Sequence, residues 1–163
     1  MKKIKNVLSS FVVILLLASC ATSKEARTYK AMVDGNWQLQ SISTEGIMGK
    51  VNVEVFNEAN SNCFVQSGWS FNDRSNLGTY TIDKNTSQCA ALKRNIRWTI
   101  YEETKDGPKQ FQFKRLDDNL KTIDNGDGFR FTILQLDKKT MQLKSNITFE
   151  NKPASIIYNF VKN

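Results

Sequence analysis

Residues 96–100 read IRWTI, and this stretch decides the fold because large apolar residues alternate with polar ones. A period of two places successive side chains on opposite faces of a β-strand. The same period returns at residues 111–113 (FQF), 129–133 (FRFTI) and 158–160 (YNF). We therefore expect strands that each have one apolar and one polar face.

Eight runs of this kind follow one another from Asn36 to the end of the chain. Their apolar positions are Trp37 and Leu39; Trp69 and Phe71; Tyr80 and Ile82; Ile96, Trp98 and Ile100; Phe111 and Phe113; Phe129, Phe131 and Ile133; Met141, Leu143, Ile147 and Phe149; and Ile156, Tyr158 and Phe160. The connectors are mostly short and polar, which implies antiparallel neighbours. Such strands can stack as a sandwich or close into a barrel. Nearest-neighbour turns favour an all-β, eight-stranded antiparallel up-and-down β-barrel, because closure removes exposed edges.

Two connections are long. Residues 44–64 contain a small alternating run, Val51, Val53 and Val55, which is either a short edge strand or part of a lid over one end. Residues 117–128 (DDNLKTIDNGDG) form the other, and their glycines suit a tight return.

The amino terminus carries an export pattern. A basic start is followed by eleven mostly apolar residues, 7–17, which as a helix reach only about 16 Å and are too short to cross a membrane. We therefore assign residues 1–19 to a cleaved signal peptide. Residues 17–20 (LASC) resemble the bacterial lipobox, in which the cysteine is acylated with a diacylglyceryl group and the peptide is cut just before it. The alternative is an ordinary secretory signal with a coincidental cysteine.

The lipobox resemblance implies that Cys20 becomes the lipidated first residue, with fatty acyl chains such as palmitate fastening the protein to a membrane. Ala21 follows the cysteine, and in lipoproteins the lack of an aspartate there favours the outer membrane of the bacterial cell envelope. Residues 20–33 are polar and lack a bounded apolar repeat, so we expect a tether, or at most a short helix within residues 24–32. Residues 34–163 then form one domain.

Two cysteines remain, Cys63 and Cys89. An exported protein in an oxidising compartment usually pairs two such thiols, so a disulfide is the simplest interpretation. Two free buried thiols or a metal pair are the alternatives.

The charge is mildly basic. Three of the 23 basic residues leave with the signal peptide, so 20 face 16 acidic ones and the net charge is about +4. We expect no nucleic-acid partner for an exported, lipid-anchored protein. The basic cluster Lys93, Arg94 and Arg97 is predicted to be a solvated strand end.

Catalytic and metal motifs are missing from the sequence. The chain has no histidine, the usual general base and zinc ligand. Asp117, Asp118, Asp124 and Asp127 do not have the spacing of a calcium loop, and we expect them in a solvated turn. Phosphate cradles and nucleophile elbows are also lacking. We expect a protein that is not an enzyme and has no metal or cofactor.

At residues 35–42 the sequence GNWQLQSI resembles the Gly-x-Trp opening of lipocalin-like proteins. Cys63, Trp69-Ser70-Phe71, Gly78-Thr79-Tyr80-Thr81-Ile82 and Cys89 then resemble the Cys…Phe…Gly-x-Tyr-x-Ile…Cys pattern of small bacterial lipocalin-like lipoproteins. The resemblance implies that Trp37 closes one end of the barrel and that the two cysteines tie neighbouring loops together. The sequence departs from larger lipocalins, because no arginine after Arg130 is present to stack on that tryptophan.

The aromatic side chains predicted to face inward suggest a function. A barrel of eight strands is just wide enough to be filled by side chains or to hold one small ligand. If space remains, a small apolar ligand would contact Trp69, Phe71, Trp98, Phe111, Phe113 and Phe131. The alternative is a filled barrel that acts as a protein-interaction module or inhibitor in the envelope, with the loops 44–64 and 117–128 carrying its function.

Overall fold

A computed structural model describes residues 23–49, 53–104 and 107–163. The predicted signal peptide and Cys20 lie outside these residues. The elements are α1 (Lys24–Val33), β1 (Gly35–Glu45), β2 (Glu54–Val55), β3 (Ala59–Asn60), α2 (Ser61–Phe64), β4 (Gly68–Phe71), β5 (Leu77–Ile82), β6 (Leu92–Glu102), β7 (Lys109–Leu116), a 3-10 turn (Asp124–Gly126), β8 (Phe129–Leu136), β9 (Thr140–Phe149) and β10 (Lys152–Lys162). No helix in the described part of the chain is long and apolar enough to span a membrane.

Eight strands close into one antiparallel barrel in the order β1-β10-β9-β8-β7-β6-β5-β4, and β4 pairs back onto β1. Apart from the β1–β4 and β1–β10 pairs that complete the circle, every neighbour is consecutive along the chain. The predicted eight-stranded up-and-down β-barrel is confirmed. The short connectors explain this order, because a strand that reverses after a tight turn pairs with the strand just before it.

The register brings the apolar positions together inside the barrel. Trp98 is paired with Phe113, and Phe111 is paired with Phe131. Because paired residues point to the same face of a sheet, each pairing adds two rings to one interior. The intervening polar residues, such as Arg97 and Thr99, are exposed on the outer face.

Helix α1 covers one end of the barrel. Ser23 caps it by accepting a hydrogen bond of 2.9 Å from Ala26 N, and Ala26 and Val33 are buried. Buried Lys109 of β7 lies 3.0 Å from Glu25 of the helix. Of the two expectations for this segment, the structure shows the short helix, which extends to Val33; its apolar side is buried by the barrel end, so residues 24–33 are not a free tether.

Trp37 lies under this helix, where the resemblance places the residue that closes the barrel. Its side chain is fully buried, and its indole Nε1 donates a hydrogen bond of 2.8 Å to Val33 O. The Lys162 ammonium lies 5.1 Å from the Trp37 ring and donates a hydrogen bond of 3.0 Å to Met32 O. A lysine of the last strand therefore supplies the cation over this ring.

The other end of the barrel receives the long connection between β1 and β4. Strands β2 and β3 pair only with each other and form a two-stranded hairpin. We call residues 54–60 the plug hairpin, because its turn enters the barrel. The expectation of an edge strand or a lid is thus met only in part: Val55 lies in a short strand, but that strand does not extend the barrel sheet.

Candidate functional site

Aromatic rings fill the barrel interior. Trp69, Phe71, Phe111, Phe113 and Phe131 surround a residual cavity of about 10 Å³, which is at most the volume of one water molecule. Trp98, the sixth predicted ligand residue, lies behind Phe71 and Phe111, at centroid distances of 5.4 and 5.9 Å. The structure therefore brings the six residues together, but as a packed core rather than as the wall of an open cavity.

Phe56 occupies the centre of this core and comes from the turn of the plug hairpin. Among the described residues, seven rings have centroids 5.0–6.2 Å from the Phe56 ring: Phe64, Trp69, Tyr80, Phe113, Phe129, Phe131 and Tyr158. The Tyr158 ring stacks on it at 5.6 Å, and the Phe64 ring meets it edge-on. The residue at the middle of the barrel is thus a loop residue, which the strand pattern does not predict.

The backbone of this turn has an unfavourable conformation. Phe56 and Asn57 have φ angles of 57° and 52°, and Glu58 N donates a hydrogen bond of 3.2 Å to Val55 O. This is the geometry of a type I′ turn, in which glycine or asparagine is preferred. A bulky residue in the left-handed region costs about 1–2 kcal/mol. Packing of the Phe56 ring offsets that cost.

Glu58, at the end of the same turn, lies in a buried ionic cluster at the barrel mouth. Its carboxylate Oε1 lies 2.6 Å from Arg94 Nη2 of β6 and 3.0 Å from Arg115 Nη1 of β7. The Tyr80 hydroxyl of β5 donates a hydrogen bond to Glu58 Oε2. One carboxylate from the hairpin therefore joins three neighbouring strands of the barrel.

Asp124 completes the cluster from the loop 117–128. Arg115 Nε donates a hydrogen bond of 2.7 Å to Asp124 Oδ2, and Arg115 Nη2 donates to Asp124 Oδ1. The two bonds together form a bidentate ion pair. The Arg115 guanidinium lowers the pKa of Asp124 below its ordinary value, while Asp124 raises the pKa of Arg115. Asp124 was expected in a solvated turn, and it is instead a partner of a buried arginine.

Two buried tyrosines flank the cluster and the core. Burial raises the pKa of Tyr80, and the hydrogen bond to the Glu58 carboxylate raises it further. Burial likewise raises the pKa of Tyr158 to about 12. Both phenols are therefore neutral at physiological pH, and Tyr80 uses its hydroxyl proton to donate to Glu58.

Arg94 corrects one prediction from the sequence. The cluster of Lys93, Arg94 and Arg97 was expected to be a solvated strand end, and Lys93 and Arg97 are exposed on the outer face. Arg94 points instead to the barrel mouth, with Nε 2.6 Å from Glu58 Oε1. Alternation along β6 does contain this signal, because Arg94 shares the inward face with Ile96 and Trp98.

The predicted disulfide between Cys63 and Cys89 is confirmed. Cys63 lies in α2, directly after the plug hairpin, and Cys89 lies in the loop between β5 and β6. The bridge therefore fixes the end of the hairpin segment to the rim of the barrel mouth. A second, open depression of about 720 Å³ lies at this mouth and includes Glu58, Arg94 and Arg115 in its lining.

The outer face of the barrel carries a basic groove. Arg97 of β6, Lys114 of β7 and Arg130 of β8 line a depression of about 530 Å³, whose lining also includes Asp127 and Gly128. The Arg130 guanidinium lies 5.2 Å from the exposed Tyr101 ring. No group of three or more cysteine, aspartate or glutamate residues in the described ranges has the arrangement of a metal site.

The closed order of eight antiparallel strands defines this protein as a single-chain up-and-down β-barrel. Within this class, the chain belongs to the lipocalin-like domain family, whose model matches residues 33–143. No curated protein matches the chain in sequence.

Solved structures resemble the barrel at a distance. A complex of bovine odorant-binding protein with a selenium-containing odorant is 12% identical, with 88% of this chain and 78% of that chain covered and a TM-score of 0.43. A deswapped triple mutant of the bovine protein is 12% identical over 81% and 74% of the two chains, with a TM-score of 0.42. Lobster apocrustacyanin A1 is 13% identical over 88% and 71%, with a TM-score of 0.40. The family assignment rests on the sequence match and the strand order.

Proposed function

We propose that this protein is a non-enzymatic binding protein whose barrel takes up a small apolar ligand when the plug hairpin withdraws. One observation carries the proposal: the central ring of the aromatic core, Phe56, belongs to a loop and not to a barrel strand. Removal of that ring would leave a cavity lined by Trp69, Phe71, Phe111, Phe113 and Phe131. Such a lining suits an apolar guest.

The barrel does not need the hairpin for its hydrogen bonding. Strands β2 and β3 pair with each other, and the barrel ladder is complete without them. The unfavourable turn at Phe56 lowers the free energy needed to withdraw the hairpin. When a ligand displaces the hairpin, the core rings exchange their contacts with Phe56 for contacts with the ligand, and the eight barrel strands stay paired.

We also propose that the protein is lipid-anchored through Cys20 in the bacterial cell envelope, on the outer membrane. The lipobox-like residues 17–20 support this proposal. Intact-mass measurement of the protein from its native membrane tests it. A chain that begins at Cys20 and carries diacylglyceryl and fatty acyl groups is expected, whereas an uncut chain without acyl groups would refute the anchor.

Ligand uptake is tested with residues 20–163 made without the signal peptide, because every described element lies in this range. The fluorescence of an environment-sensitive apolar dye is titrated with the wild type, Phe56→Ala and Met48→Ala. Phe56→Ala is expected to bind the dye at least tenfold more tightly than the wild type. Met48, which is 99% exposed, provides the matched control. A folded Phe56→Ala protein that shows no saturable, displaceable dye binding would refute the proposal.

A second candidate function is favoured by the filled interior. With only about 10 Å³ left inside, the barrel as described is a solid body, and a protein-interaction role would use its surfaces. The basic groove of Arg97, Lys114 and Arg130 offers three cations to an acidic partner. Cross-linking in cells through a photoreactive residue at position 99, on this groove, should then trap one partner, and Arg97→Gln with Lys114→Gln should abolish the adduct.

A further inference from the structure

Phe56 and Glu58 together occupy the barrel as one amphipathic molecule would. The Phe56 ring fills the apolar centre, and two residues later the Glu58 carboxylate meets the cations at the mouth. We propose that the ligand carries a carboxylate on an apolar body, and that this carboxylate replaces Glu58 at Arg94, Arg115 and Tyr80. The inference rests on the proposed function and specifies the chemical class of the ligand.

Charge balance at the mouth supports a carboxylate. The cluster holds two arginines and two carboxylates, and Asp124 already accepts from Nε and Nη2 of Arg115. When the hairpin withdraws, Glu58 leaves, and Arg94 and Arg115 Nη1 lose their acceptor. Arg94 then has no carboxylate partner and buried Arg115 keeps only Asp124, so the mouth carries one uncompensated positive charge, which is unfavourable where water is partly excluded. A neutral ligand would leave this imbalance in place, whereas a carboxylate would restore the neutral cluster.

The arrangement of donors also matches a carboxylate. Arg94 Nε and Arg115 Nη1 lie 2.6 and 3.0 Å from Oε1 of Glu58, and Tyr80 donates to Oε2. Both oxygens are thus held by donors from three different strands. The high pKa of Tyr80, caused by burial, keeps this phenol protonated as a donor. Two oxygens on one carbon satisfy these donors, which a lone hydroxyl or amide oxygen cannot do.

The position of the cluster sets the orientation of the ligand. The Arg94 side chain is 26% exposed and borders the open depression at the mouth, whereas the Phe56 ring is buried. Ile82 and Leu92 line the same depression and provide an apolar path inward. The ligand is expected to lie with its carboxylate at the mouth and its apolar body between the rings of the core.

The experiment compares 4-phenylbutyrate with its uncharged analogue 4-phenylbutanamide. Binding of each is measured by calorimetry to residues 20–163 carrying Phe56→Ala alone or Phe56→Ala with Glu58→Ala. The double variant empties both the ring position and the carboxylate position. We expect it to bind the acid at least tenfold more tightly than the amide. In Phe56→Ala alone, Glu58 still occupies the arginines, so the preference for the acid should disappear.

Each result is informative. Equal affinity of the double variant for the acid and the amide would overturn the carboxylate inference and leave the proposed function standing. Absence of binding by either compound, together with absence of dye binding by Phe56→Ala, would overturn both. A preference for the acid that survives Arg94→Gln in the double variant would also contradict the inference, because the carboxylate would then bind elsewhere.

A second measurement does not depend on the double variant. Glu58→Ala leaves the Phe56 ring in place and opens a space of carboxylate size beside Arg94 and Arg115. Acetate is expected to raise the melting temperature of this variant, and acetamide at equal concentration is not. Glu54→Ala, an exposed change on the same hairpin, should respond to neither. Equal responses of Glu58→Ala to the two compounds would refute the inference.

Discussion

Glu58 and Arg115 form an ion pair of 3.0 Å in which both side chains are more than nine-tenths buried. Glu58 belongs to a hairpin outside the barrel sheet, whereas Arg115 belongs to barrel strand β7. The free-energy cost of burying each charge is compensated only by the other members of the cluster. The free energy of the folded barrel therefore depends on whether the hairpin is in place.

Glu58→Gln should lower the free energy of unfolding by about 3 kcal/mol, because it leaves Arg94 without a charged partner and leaves buried Arg115 with Asp124 alone. Urea denaturation of residues 20–163 measures the change. Glu54→Gln, an exposed glutamate on the same hairpin, should change stability by less than about 0.5 kcal/mol. An equal effect of the two substitutions would contradict the role assigned to the cluster.

Phe56→Ala should lower the free energy of unfolding by about 3 kcal/mol, because it leaves a cavity among seven rings. Benzene, which matches the lost ring, should recover part of the lost melting temperature, because it binds only the folded state. Met48→Ala should show neither effect. If Phe56→Ala is destabilised and benzene does not raise its melting temperature, the core has collapsed into the space left by the ring.

Stability should fall at acid pH, and part of the fall should depend on Asp124. Arg115 lowers the folded-state pKa of Asp124 below its unfolded value of about 3.9. Its stabilising contribution is therefore fully present above that value and is lost as the pH falls through the folded-state pKa. Between pH 5 and pH 2, the unfolding free energy of Asp124→Asn should change less steeply than that of the wild type. Asp118→Asn, exposed in the same loop, should keep the wild-type slope.

Replacement of both Cys63 and Cys89 by serine should lower the free energy of unfolding by about 3 kcal/mol, because the bridge closes a loop between residues 26 apart. Thermal unfolding with and without reductant measures this. Reductant should destabilise the wild type and leave the serine variant unchanged. The variant should also bind the apolar dye more tightly, because the hairpin segment loses its attachment to the rim. A wild type insensitive to reductant that has fully cleaved the bridge would contradict this account.

Most of the barrel follows from local pattern. The alternation at residues 96–100 and 129–133 places rings on one face of each strand, and this preference is set by residues two positions apart. The cysteines could be paired from parity and compartment. Helix α1 could be given only as an alternative to a tether, because its apolar side is short and its stability comes from packing against the barrel end rather than from its own sequence.

The plug hairpin could not be predicted in the same way. Phe56 follows the alternating run Val51, Val53 and Val55 and falls on its opposite parity, so the pattern does not indicate burial of this ring. Arg94 and Asp124 looked like surface charges because their partners, Glu58 and Arg115, are distant in the chain. The family match indicates the barrel and does not state what fills it.

The sequence by itself therefore determined the strands, their order and the disulfide, because period-two alternation, short turns and cysteine count are local or additive properties. Only the tertiary structure decided that Phe56 fills the barrel interior and that Glu58, together with Asp124, neutralises two arginines at the barrel mouth. The volume left inside the barrel and the net charge at its mouth both depend on side chains that many strands contribute together. No single segment of the chain contains either quantity.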